Sequence, residues 1–281
     1  MGAFTVETKE KRLKVSWQGR FITAFNQGKT RNYLYPVYTP AGQAVTSEVA
    51  VDHPHHPSIW IAAEKVNGYN LYVEDTYEGR APGSIRQVSV AWEEQSATTL
   101  HVVQQLEWRG PRDWTNPDGA LLLKETRTTE IEPGEAANRL TVRSHLTPGG
   151  GPVTIGPTKH SYFGIRLADP IHVTQGGTLV DASGSVGEEQ IFEKPADWVD
   201  YHGKLAFGKV AGVGILPDAS FDGVGWFARN YGSVCVSTMR HQAVRITAEQ
   251  PLDQTVRFVV HDGDHKDADI AGEYRTFRQR G

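Results

Sequence analysis

The sequence predicts an all-β fold, a large antiparallel β-sandwich of two sheets, and three observations support this class. Apolar and polar residues alternate with a period of two along many short segments, as they do in half-buried strands. Turn-forming residues separate these segments, and the 281 residues include 29 Gly and 15 Pro. Helical periodicity is nearly absent, so helices are expected to contribute little to the core.

The alternating segments extend over the whole chain. The longest, Leu121 to Glu132, alternates charged residues with threonine and apolar residues and is expected to form one long strand. The shorter segments are expected to be strands at 13–17, 88–92, 100–102, 140–142, 234–236, 244–246 and 256–260. No linker interrupts them, so about fifteen to twenty strands in one domain, residues 1–281, are predicted.

One segment near the C-terminus has helical periodicity. Ile270, Tyr274 and Phe277 are spaced by four and three residues, which places them on one face of a helix. Basic residues follow, where they favour the helix dipole. We therefore expect a short helix within Lys266 to Arg280 that packs this face on the sandwich. A brief helical turn is also expected at Pro195 to Trp198.

The charge, the apolar segments and the single cysteine of the sequence limit the partners and the location that can be expected for the protein. The net charge is −4 and no run of Lys and Arg occurs, so neither a nucleic-acid surface nor an anionic membrane is a predicted partner. No apolar stretch approaches about eighteen residues, so no membrane span is predicted. The first residues lack the basic and apolar pattern of a leader, which indicates a cytoplasmic protein. Cys235 is expected to be a small buried apolar residue.

The most unusual segment carries three of the eleven histidines within four residues. His53, His55 and His56 are framed by prolines and preceded by Asp52. Proline favours extended backbone, in which His53 and His55 would share one side and His56 would face the other. These histidines are candidate catalytic residues, and Asp52, His53 and His55 are candidate ligands of a divalent metal, although their spacing matches no established motif. The alternative is a rigid loop with solvated imidazoles.

Other segments supply candidate catalytic and binding residues. Strand-like order over 158–166 would place His160, Tyr162 and Arg166 on one face, and an imidazole exchanges protons near neutral pH. Aromatic rings stack on the apolar faces of sugars, and arginine binds hydroxyls or carboxylates. The remaining candidates for substrate binding are Arg31, Tyr33, Trp60, Lys159, Trp226, Arg229, Tyr231 and His261. The alternative for each is ordinary packing.

Five segments together resemble a bacterial family of unknown function that is often labelled "methane oxygenase PmoA". They are 31–40, 52–60, 200–204, 226–232 and 261–263, and the resemblance covers most of the chain. Members of that family often accompany sugar oxidoreductases, so the resemblance implies a sugar-related role. The label itself implies an integral membrane protein, and we expect it to mislead because no long apolar segment is present.

The segment from His160 to Phe163 is also similar to a motif of galactose mutarotases, which are β-supersandwich proteins. This similarity implies the same fold, with His160 as the general acid toward the ring oxygen of a sugar. Lys159 stands where the mutarotase motif has asparagine, and Ser237 stands where those enzymes carry a glutamate base. Plain mutarotation is therefore not predicted, and His53, His55 and His56 are the candidate bases.

These observations predict a carbohydrate-active enzyme in which one imidazole removes a proton and another protonates a leaving or ring oxygen of a small-molecule carbohydrate. Elimination or hydration of a keto-glycoside, glycoside cleavage and epimerisation are all open, with arginine near the developing negative charge. A non-catalytic carbohydrate-binding protein and a metal-dependent oxygenase are the alternatives. No cofactor motif is present, so a divalent metal is the one cofactor considered. Oligomeric state, a homo-oligomer included, is left open.

Overall fold

Strands dominate the computed structural model, which describes residues 2–10 and 12–280. In the first half of the chain they are β1 (Phe4–Lys9), β2 (Arg12–Trp17), β3 (Arg20–Gln27), β4 (Asn32–Val37), β5 (Ile59–Ala63), β6 (Ser84–Ser96), β7 (Thr99–Arg109), β8 (Leu121–Glu132) and β9 (Ala137–Pro148). In the second half they are β10 (Val153–Ile155), β11 (Ser161–Arg166), β12 (Thr178–Asp181), β13 (Val199–Lys204), β14 (Val210–Pro217), β15 (Phe227–Arg229), β16 (Ser233–Val236), β17 (Val244–Ile246) and β18 (Leu252–Asp262). Every predicted strand is present, and β8 has the predicted bounds.

The strands form two antiparallel sheets of eight strands each. The first sheet has the order β1-β2-β3-β4-β5-β11-β16-β15, and the second has the order β12-β13-β14-β18-β9-β8-β7-β6. A small third sheet pairs β10 with β17. One hydrophobic cluster contains buried residues of both large sheets, such as Ile61 of β5 and Leu140 of β9. The two sheets therefore pack face to face, which confirms the predicted sandwich.

A charged network lies between the sheets. The carboxylate of Glu125 accepts hydrogen bonds from Trp108 Nε1 at 2.7 Å, from Ser144 Oγ at 2.7 Å and from Arg127 Nε at 2.8 Å. The hydroxyl of Tyr162 lies 2.7 Å from Ser144 Oγ. Buried charges are tolerated when their partners satisfy them. The network therefore connects β7, β8 and β9 of the second sheet with β11 of the first.

Within residues 2–10 and 12–280, two α-helices accompany the sheets, α1 (Glu188–Ile191) and α2 (Ile270–Arg280). Short 3-10 turns lie at Asp169–Ile171, Val173–Gln175, Ala206–Gly208 and Ala219–Phe221. The predicted C-terminal helix is confirmed, because Ile270, Tyr274 and Phe277 are buried in a cluster that also contains Leu216 of β14 and Val259 of β18. Neither helix is long and apolar enough to cross a membrane, within the part of the chain that the structure describes.

The predicted helical turn at Pro195 to Trp198 is wrong. Pro195 forms an isolated antiparallel bridge with Gly225. The carbonyl of Ala196 accepts a hydrogen bond from Trp226 Nε1 at 2.9 Å. These backbone groups are therefore directed at a neighbouring segment, and the short helix lies earlier, at α1. Cys235 is buried as predicted, and burial raises its pKa to about 12.

Candidate functional site

The loop before β5 folds as a tight turn that gathers its three histidines. The backbone N–H of His56 donates a hydrogen bond to the carbonyl of His53 at 3.0 Å. The expectation of extended backbone was therefore wrong, because a turn brings residues three apart back to the same side. The rings of His53 and His56 stack with centroids 4.9 Å apart, and His55 meets them edge-on at 5.8 and 4.6 Å.

Four aromatic rings form a continuous column through this loop. Its members are Trp60, His56, His53 and Tyr231, with successive centroids 5.2, 4.9 and 5.0 Å apart and interplanar angles of 11°, 6° and 7°. The guanidinium of Arg166 lies 5.0 Å from the centroid of Tyr231 and ends the column. Stacked pairs contribute about 0.5–1.5 kcal/mol beyond their buried area. The column therefore fixes the orientation of His53 and His56.

Asp52 ties the loop to the first sheet. Its carboxylate accepts a hydrogen bond from Arg166 Nη2 at 2.7 Å and lies 2.9 Å from His53 Nδ1. Burial alone would raise the pKa of Asp52, but His53 and Arg166 outweigh it and lower the pKa to about 2. Asp52 is therefore a carboxylate at neutral pH and holds Arg166, which is buried, against the ring of Tyr231.

Arg31 supports the same loop from beneath. Its guanidinium is fully buried and donates hydrogen bonds to the carbonyl of His55 at 2.9 Å and to the carbonyl of Tyr72. The carboxylate of Glu74 lies 4.0 Å from Arg31 Nη2. The hydroxyl of Tyr72 in turn lies 2.8 Å from His56 Nε2. The predicted binding residue Arg31 thus positions the loop.

Burial keeps two of the loop histidines neutral. His56 is 1% exposed, and burial together with the charges of neighbouring groups lowers its pKa to about 2. Burial and the adjacent Arg31 lower the pKa of His55 to about 4. Both imidazoles are therefore neutral at neutral pH, and His55, which is less buried, is available to accept a proton.

His160 lies beside a carboxylate at the far end of β5. The pairing of β5 with β11 places Ser161 opposite Ala63, so the residue before β11 meets the residue after β5. His160 Nδ1 lies 3.4 Å from Glu64 Oε1, and Glu64 Oε2 accepts a hydrogen bond from Thr158 Oγ1 at 2.7 Å. Burial raises the pKa of Glu64, but these two partners lower it overall. An ionised carboxylate in this position orients the neighbouring imidazole.

The loop histidines and the His160–Glu64 pair line one cavity of about 380 Å³. Its wall also includes Tyr72, whose ring centroid lies 5.5 Å from that of His55 and 5.5 Å from that of His160. A second cavity of about 880 Å³ adjoins it. The residues shared by both linings are Glu64, Tyr77 and His160. The histidine–carboxylate pair therefore stands at the boundary between the two cavities.

The structure brings only part of the predicted set to these cavities. The members that line the first are His53, His55, His56, His160 and Tyr231, and Lys159 lines the second. Arg31, Trp60 and Arg166 lie behind the loop and support it. Their catalytic or binding roles stay predictions.

Five predicted site residues lie elsewhere. Tyr162 points between the sheets, because β11 is buried on both faces and does not separate a polar side from an apolar one. Tyr33 donates a hydrogen bond to Glu48 at 2.7 Å, and Arg229 pairs with Glu188 at 2.8 Å. The other two are Trp226, which is buried in the core, and His261, which belongs to the second sheet.

The metal ligands expected at Asp52, His53 and His55 stay a prediction, because their donor atoms do not form a three-membered group among the described residues. Among residues 2–10 and 12–280, the group of three metal-type side chains with donor atoms within 4.8 Å of one another is Asp200, His202 and His265. Asp52 instead pairs with Arg166, and His53 is held in the ring column. The cavity therefore presents imidazoles and carboxylates suited to proton transfer.

Sequence reasoning missed the acidic and phenolic side chains of the cavity, chiefly Glu64, Tyr72 and Glu74. A signal for Glu64 exists in the sequence, since it is the first charged residue after the apolar run Ile59–Ala63. Its contact with His160 depends on strand pairing across 96 residues of sequence, from 64 to 160, and periodicity does not reveal such pairing.

Comparison with known proteins identifies a family that the sequence matches. A family model described as a family of unknown function, DUF6807, matches residues 12–275. No curated protein matches the chain. The match covers nearly the whole sequence, including the cavity and both large sheets apart from β1.

Proposed function

The chain belongs to the family DUF6807, whose function is unknown, and we propose that it is a carbohydrate-active enzyme that uses histidine acid–base chemistry. One observation carries the proposal: the His160–Glu64 pair and the neutral His55 line the same cavity. A site with two imidazoles in different environments has the elements of a proton donor and a proton acceptor.

In this proposal His160 is the general acid. Glu64 holds its Nδ1 side and stabilises the positive charge, and the other nitrogen gives its proton to the departing oxygen. His55 is the general base and removes a proton from carbon next to a carbonyl. The electrons of that C–H bond form a double bond as the C–O bond breaks, so the elimination needs no oxidant or reductant. Each positioned group contributes about 10²–10⁴-fold to the rate.

The adjoining cavities favour a substrate with two parts. His160 and Glu64 border both spaces, so a glycoside with one ring in each would present its linking oxygen to His160. Tyr69 and Tyr77 line the larger space and suit the apolar face of a ring, while Lys159 and other polar residues suit its hydroxyls. This arrangement favours elimination or cleavage at the glycosidic bond over epimerisation.

The competing proposal is a non-catalytic protein that binds carbohydrate in the same cavities. Binding alone would not require a carboxylate at His160. A metal-dependent oxygenase would need a group of ligands in the cavity, and among the described residues the three-membered group is Asp200, His202 and His265, which do not line it. Both alternatives predict that His160 and His55 can be replaced without a specific loss of proton transfer.

The test measures binding and turnover separately. His160→Gln and Glu64→Gln are compared with wild type on a panel of 3-keto-glycosides, with sugar binding followed by calorimetry. The matched control is His101→Gln, because His101 lies 2.8 Å from Glu130 and is exposed to a similar extent, 35% against 32% for the side chain of His160.

We expect His160→Gln to lose about 10²–10⁴-fold in kcat with little change in affinity, and the control to keep full activity. The proposal fails if the wild-type protein binds these sugars without turnover. It also fails if His160→Gln and His55→Ala both turn over substrate at the wild-type rate.

A further inference from the structure

A second histidine cluster lies on the second sheet, apart from the cavities described above. Asp200 and His202 belong to β13 and His261 belongs to β18, while β14 runs between these strands. Gly212 of β14 is paired with His202 on one side and with His261 on the other. Residues directly opposite in a sheet share a face, and Asp200 shares it with His202 because they are two residues apart.

Glycine at position 212 leaves room for this cluster. A Cβ atom on Gly212 would lie 2.5 Å from the Cβ of His202, closer than two such atoms approach. The absence of a side chain therefore lets β14 lie between the two histidines without separating them. The sheet is built so that Asp200, His202 and His261 form one buried polar group.

The buried carboxylate of Asp200 is the centre of the cluster. Its Oδ1 lies 2.6 Å from His202 Nδ1, and its Oδ2 lies 2.8 Å from His261 Nε2. His265, in the turn before α2, places its ring centroid 5.3 Å from that of His202. One donor atom from each of Asp200, His202 and His265 lies within 4.8 Å of the other two.

An unsatisfied nitrogen points to a missing partner. Nδ1 of His265 is buried and has no hydrogen-bond partner among the residues that the structure describes. A buried polar atom of this kind calls for a specific explanation, such as a bound ion or water. Two imidazoles and a carboxylate form a familiar ligand set for divalent transition metals.

We propose that Asp200, His202 and His265 bind a divalent transition metal ion of the Zn²⁺ type. Ligands at about 2.1 Å from such an ion lie about 3.4 Å apart in a tetrahedral site. The three donor atoms here lie within 4.8 Å of one another, so they are gathered closely enough to converge on one ion. His261 donates to the outer oxygen of Asp200 and orients the carboxylate, as the outer partners of metal ligands commonly do. The ion would link β13 to the turn that leads into α2.

The test uses the full chain after metal is removed with a chelator and dialysis. Zn²⁺ alone is titrated by calorimetry, and Co²⁺ is followed by its visible absorption. The variants are His265→Ala, in a turn where folding is least at risk, and Asp200→Asn. His145→Ala is the control, because His145 is partly buried like His265 and lies 3.1 Å from Asp253. It belongs to no three-ligand group within the described residues.

We expect one equivalent of Zn²⁺ to bind wild type and to raise its Tm. His265→Ala should weaken binding by at least about 10-fold and abolish the rise in Tm, whereas His145→Ala should behave as wild type. The inference is overturned if wild type binds no stoichiometric metal, or if His265→Ala binds Zn²⁺ as tightly as wild type. Loss of binding in Asp52→Asn but not in His265→Ala would place the ion at the histidine loop instead.

Discussion

His56 should make the protein less stable in mild acid, because its imidazole is buried in the neutral form. Burial lowers its pKa to about 2 in the folded protein, whereas an unfolded chain binds the proton near the ordinary value of about 6.5. Between these values the unfolded state holds one more proton than the native state. The free energy of unfolding therefore falls as pH falls, by about 1.4 kcal/mol for each pH unit.

The pH range in which the effect of His56 can be measured depends on the other side chains whose pKa values differ between the folded and unfolded protein. The lowered pKa of His55, about 4, also makes the free energy of unfolding fall as the pH is lowered toward 4. The lowered pKa of His172 acts in the same direction. The stabilisation from Asp52, with a pKa of about 2, is lost only as the pH falls below about 4. The raised pKa of His261 stabilises the folded protein, and below about pH 6 this contribution no longer changes with pH. The window from pH 6 to 4.5 is therefore the informative one.

The assay is urea unfolding at several pH values across this window, with wild type compared with His56→Gln. Glutamine does not titrate and can still offer a polar partner to the hydroxyl of Tyr72. The slope of the free energy of unfolding against pH should be smaller for His56→Gln than for wild type by about 1.4 kcal/mol per pH unit. Over the window this amounts to about 2 kcal/mol. Equal slopes would refute the buried neutral His56, and the exposed control His241→Gln should keep the wild-type slope.

Three further changes test the fold that carries the site. Glu125→Leu leaves the buried Arg127 without its carboxylate and should cost about 3–5 kcal/mol in urea unfolding, most of it regained when Arg127→Met is added; an unchanged midpoint in the single variant would contradict this. Gly164→Ala puts a Cβ 2.4 Å from the ring of Trp60, so it should cost about 1–3 kcal/mol and alter the near-UV circular dichroism of the ring column. Ile270→Ala removes a fully buried side chain of α2 and should cost about 2–5 kcal/mol, and a cost below 1 kcal/mol would mean that α2 packs loosely.

The sandwich was predictable because its strands obey a local rule. One face of β8 is buried and the other is partly exposed, so the sequence from Leu121 to Glu132 alternates and its bounds could be read directly. The same holds for α2, where the buried residues recur at helical spacing. In contrast, β11 is buried on both faces, so the alternation rule wrongly placed Tyr162 and Arg166 beside His160 on one surface.

The candidate site was only partly predictable, because its contacts are not local. The density of histidines identified the loop at 53–56, and its three histidines line the same cavity as His160. The conformation of the loop was predicted wrongly. Proline favours extended backbone, but the hydrogen bond from the N–H of His56 to the carbonyl of His53 closes a turn. Glu64 was missed because only the pairing of β5 with β11 brings it to His160.

The two ends of the cavity place histidines in opposite electrostatic surroundings. At the loop, the buried Arg31 lies under His55 and its charge disfavours a second positive charge on that imidazole. At the other end, the carboxylate of Glu64 lies 3.4 Å from Nδ1 of His160. A difference of this kind is what separates a base from an acid when both are the same residue type. The histidine-rich sequence alone does not distinguish the two histidines. In the proposed chemistry, the buried Arg31 and the pairing of β5 with β11, which brings Glu64 to His160, distinguish them.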